Sequence, residues 1–262
     1  MPNPPTNSIY VGYMPMPKRV RRTVRIAVPV LVWLMLIPAY FWASAAQPAE
    51  PATWDTSASQ TYTGTLVLDP YPFLVTDEGP RLIVEAGKIG SQARFDSSKT
   101  AAPSGPQNGA TVTLTGYPLE LGDRRMIELL GNDNAVQINE PPKATFAPTA
   151  PRAVILRGEI VDAKCNLGAM KPGTGPTHRA CAMLCVRGGI PAVLVGFDAL
   201  GNPGTWIVAS PRESGATNET TLGPMDDRWT ALIGQPVELR GAAVSLAGLD
   251  IVTPDAIRPI GR

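Results

Sequence analysis

Gly109-Ala-Thr-Val112-Thr-Leu114-Thr-Gly116 and Gly234-Gln-Pro-Val237-Glu-Leu239-Arg-Gly241 carry one pattern twice. Apolar and polar residues alternate between glycines at matching offsets, which predicts a half-buried strand in each place. The match extends upstream. Thr61-Tyr-Thr-Gly64-Thr-Leu66 parallels Ile155-Leu-Arg-Gly158-Glu-Ile160. Between these landmarks each copy holds a hairpin pattern. Phe73-Leu-Val75 and Arg81-Leu-Ile-Val84 flank Asp77-Glu-Gly79, and Ala192-Val-Leu-Val195 and Thr205-Trp-Ile-Val208 flank the segment Asp198 to Gly204. Met126-Ile-Glu-Leu129 and Leu249-Asp-Ile-Val252 close the copies. The expected fold class is mainly β: two small five-stranded, OB-like barrels arising by internal duplication.

The second copy is longer between its glycine landmarks, and the excess falls at about 163–190. That insert holds every Cys and the only His of the 262 residues. The expected layout is a first barrel at 59–138, a Pro-rich linker at 139–152 and a second barrel at 153–262. A tail at 1–22, an apolar helix at 23–46 and a spacer at 47–58 precede them.

The apolar helix follows from charge and length. Five of the 23 basic residues lie between Lys18 and Arg25, and no acid precedes Glu50, which leaves the rest with 22 acidic against 18 basic residues. From Ile26 to Ala43 no residue is charged. At 1.5 Å per residue this gives about 27 Å of helix, near the thickness of a bilayer's hydrocarbon core. The positive flank places the N-terminus in the cytoplasm and the barrels outside, on the periplasmic face of a bacterial inner membrane. Ala43-Ser-Ala45 has the small-x-small form of a cleavage site, so a signal peptide is the rival reading. A mildly acidic body is a poor nucleic-acid partner, because binding a phosphate backbone needs a positive surface.

The insert places Cys165, His178, Cys181 and Cys185 within one short stretch. Thr177 is a candidate helix N-cap and Gly188-Gly189 a candidate stop, so His178, Cys181 and Cys185 at i, i+3 and i+7 would share a helix face. Cys165, across a Gly/Pro-rich loop, completes a Cys₃His set. That set suits Zn²⁺, with Cu⁺ as the alternative. Two other readings stay open: a disulfide leaving one thiol over, as export favours, or a thiol-dependent oxidoreductase, although Cys-x-x-x-Cys is not the usual redox spacing. Asp162 could orient His178, although nothing in the sequence demands it. No Gly-rich phosphate loop and no Gly-x-Ser-x-Gly occurs, so no catalytic residues are assigned. Arg124-Arg125 reads as a solvated strand end, and Met170, Met183 and Met225 read as packing or surface residues. Asp226 to Ile233 reads as a short helix with an Asp N-cap and a buried Trp229.

The stretch Gly158-Glu-Ile-Val-Asp-Ala-Lys-Cys165, then His178-Arg-Ala-Cys181-Ala-Met-Leu-Cys185 and Gly188-Gly-Ile-Pro-Ala-Val-Leu194, resembles small exported bacterial proteins of unassigned function. Those carry Gly-x-Ile-x-Asp-x-x-Cys, a variable loop, His-x-x-Cys-x-x-x-Cys and a following apolar strand. The resemblance covers about 40 residues and implies an exported β-barrel setting. The combined expectation is a membrane-anchored accessory subunit or assembly factor of an inner-membrane redox complex, with a copper or zinc carrier as the alternative.

Overall fold

The computed structural model describes residues 16–45, 52–95, 107–213 and 220–261. Residues 1–15 of the expected tail at 1–22, residue 46 at the end of the expected helix, and 47–51 of the expected spacer lie outside the described residues. The chain divides into two compact units, Met1–Ala49 and Glu50–Arg262.

In the first unit, α1 (Lys18–Ala45) is one helix with Pro29 and Pro38 inside it. Its stretch Lys18–Ala43 is long and apolar enough to cross a membrane. Trp33, Leu34 and Met35 are mostly bare. A helix that is apolar all round and uncovered by protein has the composition of a membrane span.

The second unit is built of strands. The first barrel uses β2 (Gln60–Val67), β3 (Phe73–Thr76), β4 (Gly79–Val84), β5 (Thr111–Leu121) and β6 (Arg124–Leu129). β2 pairs β3, β3 pairs β4, β4 pairs β6 in parallel, β6 pairs β5, and β5 returns to β2. The second barrel uses β8 (Arg152–Asp162), β9 (Ala192–Phe197), β10 (Pro203–Glu213), β12 (Pro236–Leu246) and β13 (Leu249–Pro259). Its ring is β8–β9–β10–β13–β12–β8, with β10–β13 the one parallel pair. Both rings close in the same order.

Three short strands that the sequence pattern does not reveal are added at the margins. β1 (Thr53–Trp54) and β7 (Val136–Glu140) pair with β5, and β11 (Thr220–Pro224) pairs with β10. A short helix, α2 (Gln92–Phe95), precedes β5, and α3 (Arg179–Arg187) lies in the insert.

The glycines that suggested duplication do the same work in both barrels. A Cβ on Gly64 would meet the Val75 carbonyl of the next strand at 2.3 Å, and one on Gly158 would meet the Val195 carbonyl at 2.2 Å. Gly116 and Gly241 approach the last strand as closely, at Glu128 and Thr253. Each pair sits where backbones crowd at a barrel corner, and only hydrogen fits there.

Alternation along the strands sorts side chains into three cores. Leu66, Leu74, Ile83, Val112, Leu114 and Ile127 fill the first barrel. Leu156, Ile160, Leu194, Trp206, Val237 and Leu239 fill the second. The residues between them in sequence, Phe73, Leu82 and Val84 of one barrel and Val193 and Ile207 of the other, meet in a joint core. The outer faces of the second and third strands of each barrel are therefore packed on one another. In an OB barrel this face binds oligonucleotides or oligosaccharides. Here it is covered.

Polar pins cross the junction. The Tyr71 hydroxyl, from the β2–β3 connection, donates to the Val208 carbonyl at 3.4 Å and accepts from Met225 N at 2.9 Å. Lys164 Nζ is buried and donates to the carbonyls of Glu85 and Gly87, both at 2.9 Å, and pairs with Glu128 at 3.0 Å. Arg124 is half-buried, not a solvated strand end. It donates to Asn166 Oδ1 at 2.8 Å and Thr205 Oγ1 at 3.0 Å. The strand end at Arg124 faces the other barrel, which sequence periodicity cannot register.

Candidate metal centre

β8 ends at Asp162, which is completely buried. The chain then coils through a π-type turn, Cys165–Ala169, and a loop to α3 before rejoining the barrel at β9. Asp162 organises this insert. Its Oδ1 accepts the Cys165 amide at 2.8 Å, and its Oδ2 lies 2.7 Å from His178 Nε2. One carboxylate thus holds both ends of the loop that separates the first ligand from the helix.

His178 itself occupies the N-cap position of α3, so the helix starts one residue later than a Thr177 cap would give. Its carbonyl accepts from Ala182 N at 3.0 Å. The helix stops as expected. Gly188 N bonds the Leu184 carbonyl, and Gly189 follows at φ +93°, a left-handed conformation that favours glycine. Ala182, Met183 and Val186 turn toward the interior of the second barrel, and Cys181 and Cys185 turn toward the joint core.

The ligand atoms of Cys165, His178 and Cys181 lie within 4.8 Å of one another, as do those of Asp162, Cys165 and Cys185. Cys181 Sγ and Cys185 Sγ are 4.0 Å apart. That is about twice a disulfide bond length, and all three thiols are free. Two sulfurs bound tetrahedrally to one zinc at 2.3 Å would stand about 3.8 Å apart, close to this spacing. Cys165, His178 and Cys181 converge, Cys185 lies beside both Cys165 and Cys181, and this Cys/His cluster could hold a metal ion.

His178 also carries an unmatched buried atom, Nδ1. The ring is 2 % exposed, its Nε2 proton is spent on Asp162, and Nδ1 has no hydrogen-bond partner. A buried lone pair left unmatched costs about 1–3 kcal/mol. Carboxylate-oriented histidines with the opposite nitrogen bare are the arrangement found at zinc sites, where the carboxylate fixes the tautomer.

The thiols are electrostatically unequal. A hydrogen bond from Cys165 to Cys185 pulls the Cys185 thiol down. The same bond, then burial and the charge of Asp162, hold the Cys165 thiol far above the usual range. Burial, then Cys185, pushes Cys181 up, and Lys88 works against that shift. Without a cation only one thiolate is favoured here. A divalent ion would supply the charge that lets all three deprotonate.

Lys88 belongs to the first barrel, in the β4–α2 connection. Beside it, Gly90 N bonds the Gly188 carbonyl at 2.8 Å, and a Cβ on Gly188 would meet the Lys88 carbonyl at 1.9 Å. The insert is therefore clamped against the first barrel next to its thiols. Lys88 and Lys164 had no signal in sequence, because lone lysines in loops follow no period.

Of the remaining residues, Met225 is buried in the second barrel, Met183 is partly buried and Met170 is exposed. Asp226 caps a 3₁₀ turn, Asp227–Leu232, through Arg228 N at 2.8 Å, and Trp229 is only partly buried. No family model matches the chain, and no curated protein or solved structure matches it significantly.

Proposed function

We propose that this chain is a membrane-tethered metalloprotein in which Cys165, His178, Cys181 and Cys185 bind one Zn²⁺. The convergence of the Cys165, His178 and Cys181 ligand atoms within 4.8 Å, with Cys185 Sγ 4.0 Å from Cys181 Sγ, carries the reading. Zinc is favoured over Cu⁺ because the set is three sulfurs plus one carboxylate-oriented imidazole, the composition of closed structural sites. Four protein ligands leave no open position for substrate, which argues for an architectural ion that sets the insert against the first barrel. The body then acts as a non-catalytic accessory or assembly module for a complex in the same membrane. The basic flank Lys18 to Arg25 supports a cytoplasmic N-terminus and a periplasmic body. A redox complex is the narrower form of this reading and rests only on the soft ligands and the tether.

The test is metal content with a thiol count on the full chain, purified in detergent without chelator. The expected result is one equivalent of zinc and three thiols that resist alkylation until a chelator is added. Absence of metal with a single reactive thiol would replace the zinc by a disulfide. Copper in fast exchange would favour a carrier.

A further inference from the structure

On the outer surface of the second barrel, three arginines from three adjacent strands converge on one carboxylate. Arg157 of β8 donates through Nε and a terminal nitrogen to Glu238 Oε2 at 3.1 and 2.9 Å. Arg240 of β12 and Arg258 of β13 donate to Oε1 at 3.0 and 2.7 Å. Strand register produces the cluster. Glu238 lies directly between Arg157 and Arg258 on its two neighbours, and Arg240 follows two residues later on the same face.

The glutamate side chain is 6 % exposed, but the arginines are 66 %, 53 % and 61 % exposed. One negative charge is set among three positive ones, on a body whose sequence is net acidic. A guanidinium carries five N–H groups, and the shared carboxylate takes at most two from each of these, leaving outward donors in fixed positions. Two exposed apolar side chains border the cluster: Ile155 opposite Arg240, and Phe197 opposite Arg157.

We propose that this face docks on an anionic phospholipid surface, with phosphodiesters meeting the outward guanidinium edges and Ile155 and Phe197 entering the headgroup layer. Arginine suits phosphate because its planar fork matches two oxygens at once. An acidic peptide adding as a strand beside Glu238 and Arg240 is disfavoured, since β12 is paired there on both sides, to β8 and β13, and Arg157 of β8 is likewise flanked by Glu238 and Phe197. A chain with a helix able to span a membrane also has a headgroup surface always at hand. The inference is independent of the metal centre.

All three buried cores come from residues beyond the helix, so the body 50–262 is a self-contained folding unit. Its co-sedimentation with phosphatidylcholine vesicles, with and without phosphatidylglycerol, is the experiment. Binding is expected only with phosphatidylglycerol and should weaken with salt. Each of Arg157→Gln, Arg240→Gln and Arg258→Gln should lower the partition about fivefold, with Arg240→Lys, which keeps the charge but not the fork, falling between Arg240→Gln and the unaltered body. Glu238→Gln, which removes the anion but no arginine, should retain or strengthen binding, with circular dichroism verifying the fold. Equal binding to neutral vesicles, or a triple arginine variant that binds undiminished, would overturn the proposal. So would binding of inorganic phosphate or of an acidic peptide by a body that ignores vesicles.

Discussion

The two barrels close in the same order and use the same corner glycines, yet differ in the connection between their first two strands. In the first barrel it is the short stretch 68–72, and its Tyr71 reaches into the other barrel. In the second it is 163–191, and it carries every Cys, the only His and the buried Lys164. The strands repeat one architecture, whereas one loop alone carries the Cys/His cluster. That division of labour is common where a rigid scaffold presents variable connections.

The comparison breaks most visibly at the ligands. Cys165→Ser or His178→Ala should abolish zinc retention and cost on the order of 5 kcal/mol of stability. Hydrogen exchange should localise the loosening to the insert and β9. Equal loosening inside the first barrel would show that the two barrels do not differ in their dependence on this loop.

Lys164→Met comes next. It strands the Glu128 carboxylate in a buried site and should cost about 3–4 kcal/mol in denaturant unfolding. A neutral result would mean that the insert merely rests on the first barrel. Asp162→Asn should leave the fold intact but weaken zinc 10- to 100-fold in chelator competition, about 1.4–2.7 kcal/mol. Unchanged affinity would separate the carboxylate from the imidazole it holds.

The smallest effect concerns the outer face of the second barrel. Arg258, then Arg157 and Arg240, draw the Glu238 carboxyl down to about 2 from an ordinary 4.5. A depressed carboxylate contributes stability that is complete above the unfolded value and is lost as pH falls through the folded one. The body should therefore lose a small increment between pH about 4.5 and 2, and Glu238→Gln should flatten that part of the curve in thermal unfolding against pH.

Legibility followed the same division. Hairpins such as Phe73–Val75 with Arg81–Val84 were readable because turn residues bracket apolar runs. The cluster of Cys165, His178, Cys181 and Cys185 was readable because scarce residue types stood close together. The face-to-face packing was not. Phe73, Leu82 and Val84 are apolar in a run, and such a run reads alike whatever covers its second face. β7 escaped because Asn139 and Glu140 open the Pro-rich linker stretch and its residues beyond Val136 are exposed. Asp162 was visible beside Cys165, but only folding shows its two oxygens divided between an amide and a ring.

The covered second-and-third-strand faces have a consequence for how such a protein can change. A barrel of this type ordinarily keeps that face for a guest, and here each copy is the other's guest. Neither half can be discarded or exchanged without baring Phe73 and Leu82, or Val193 and Ile207, to water. A truncated chain would look for the lost surface on another molecule, trading an internal marriage for an intermolecular one.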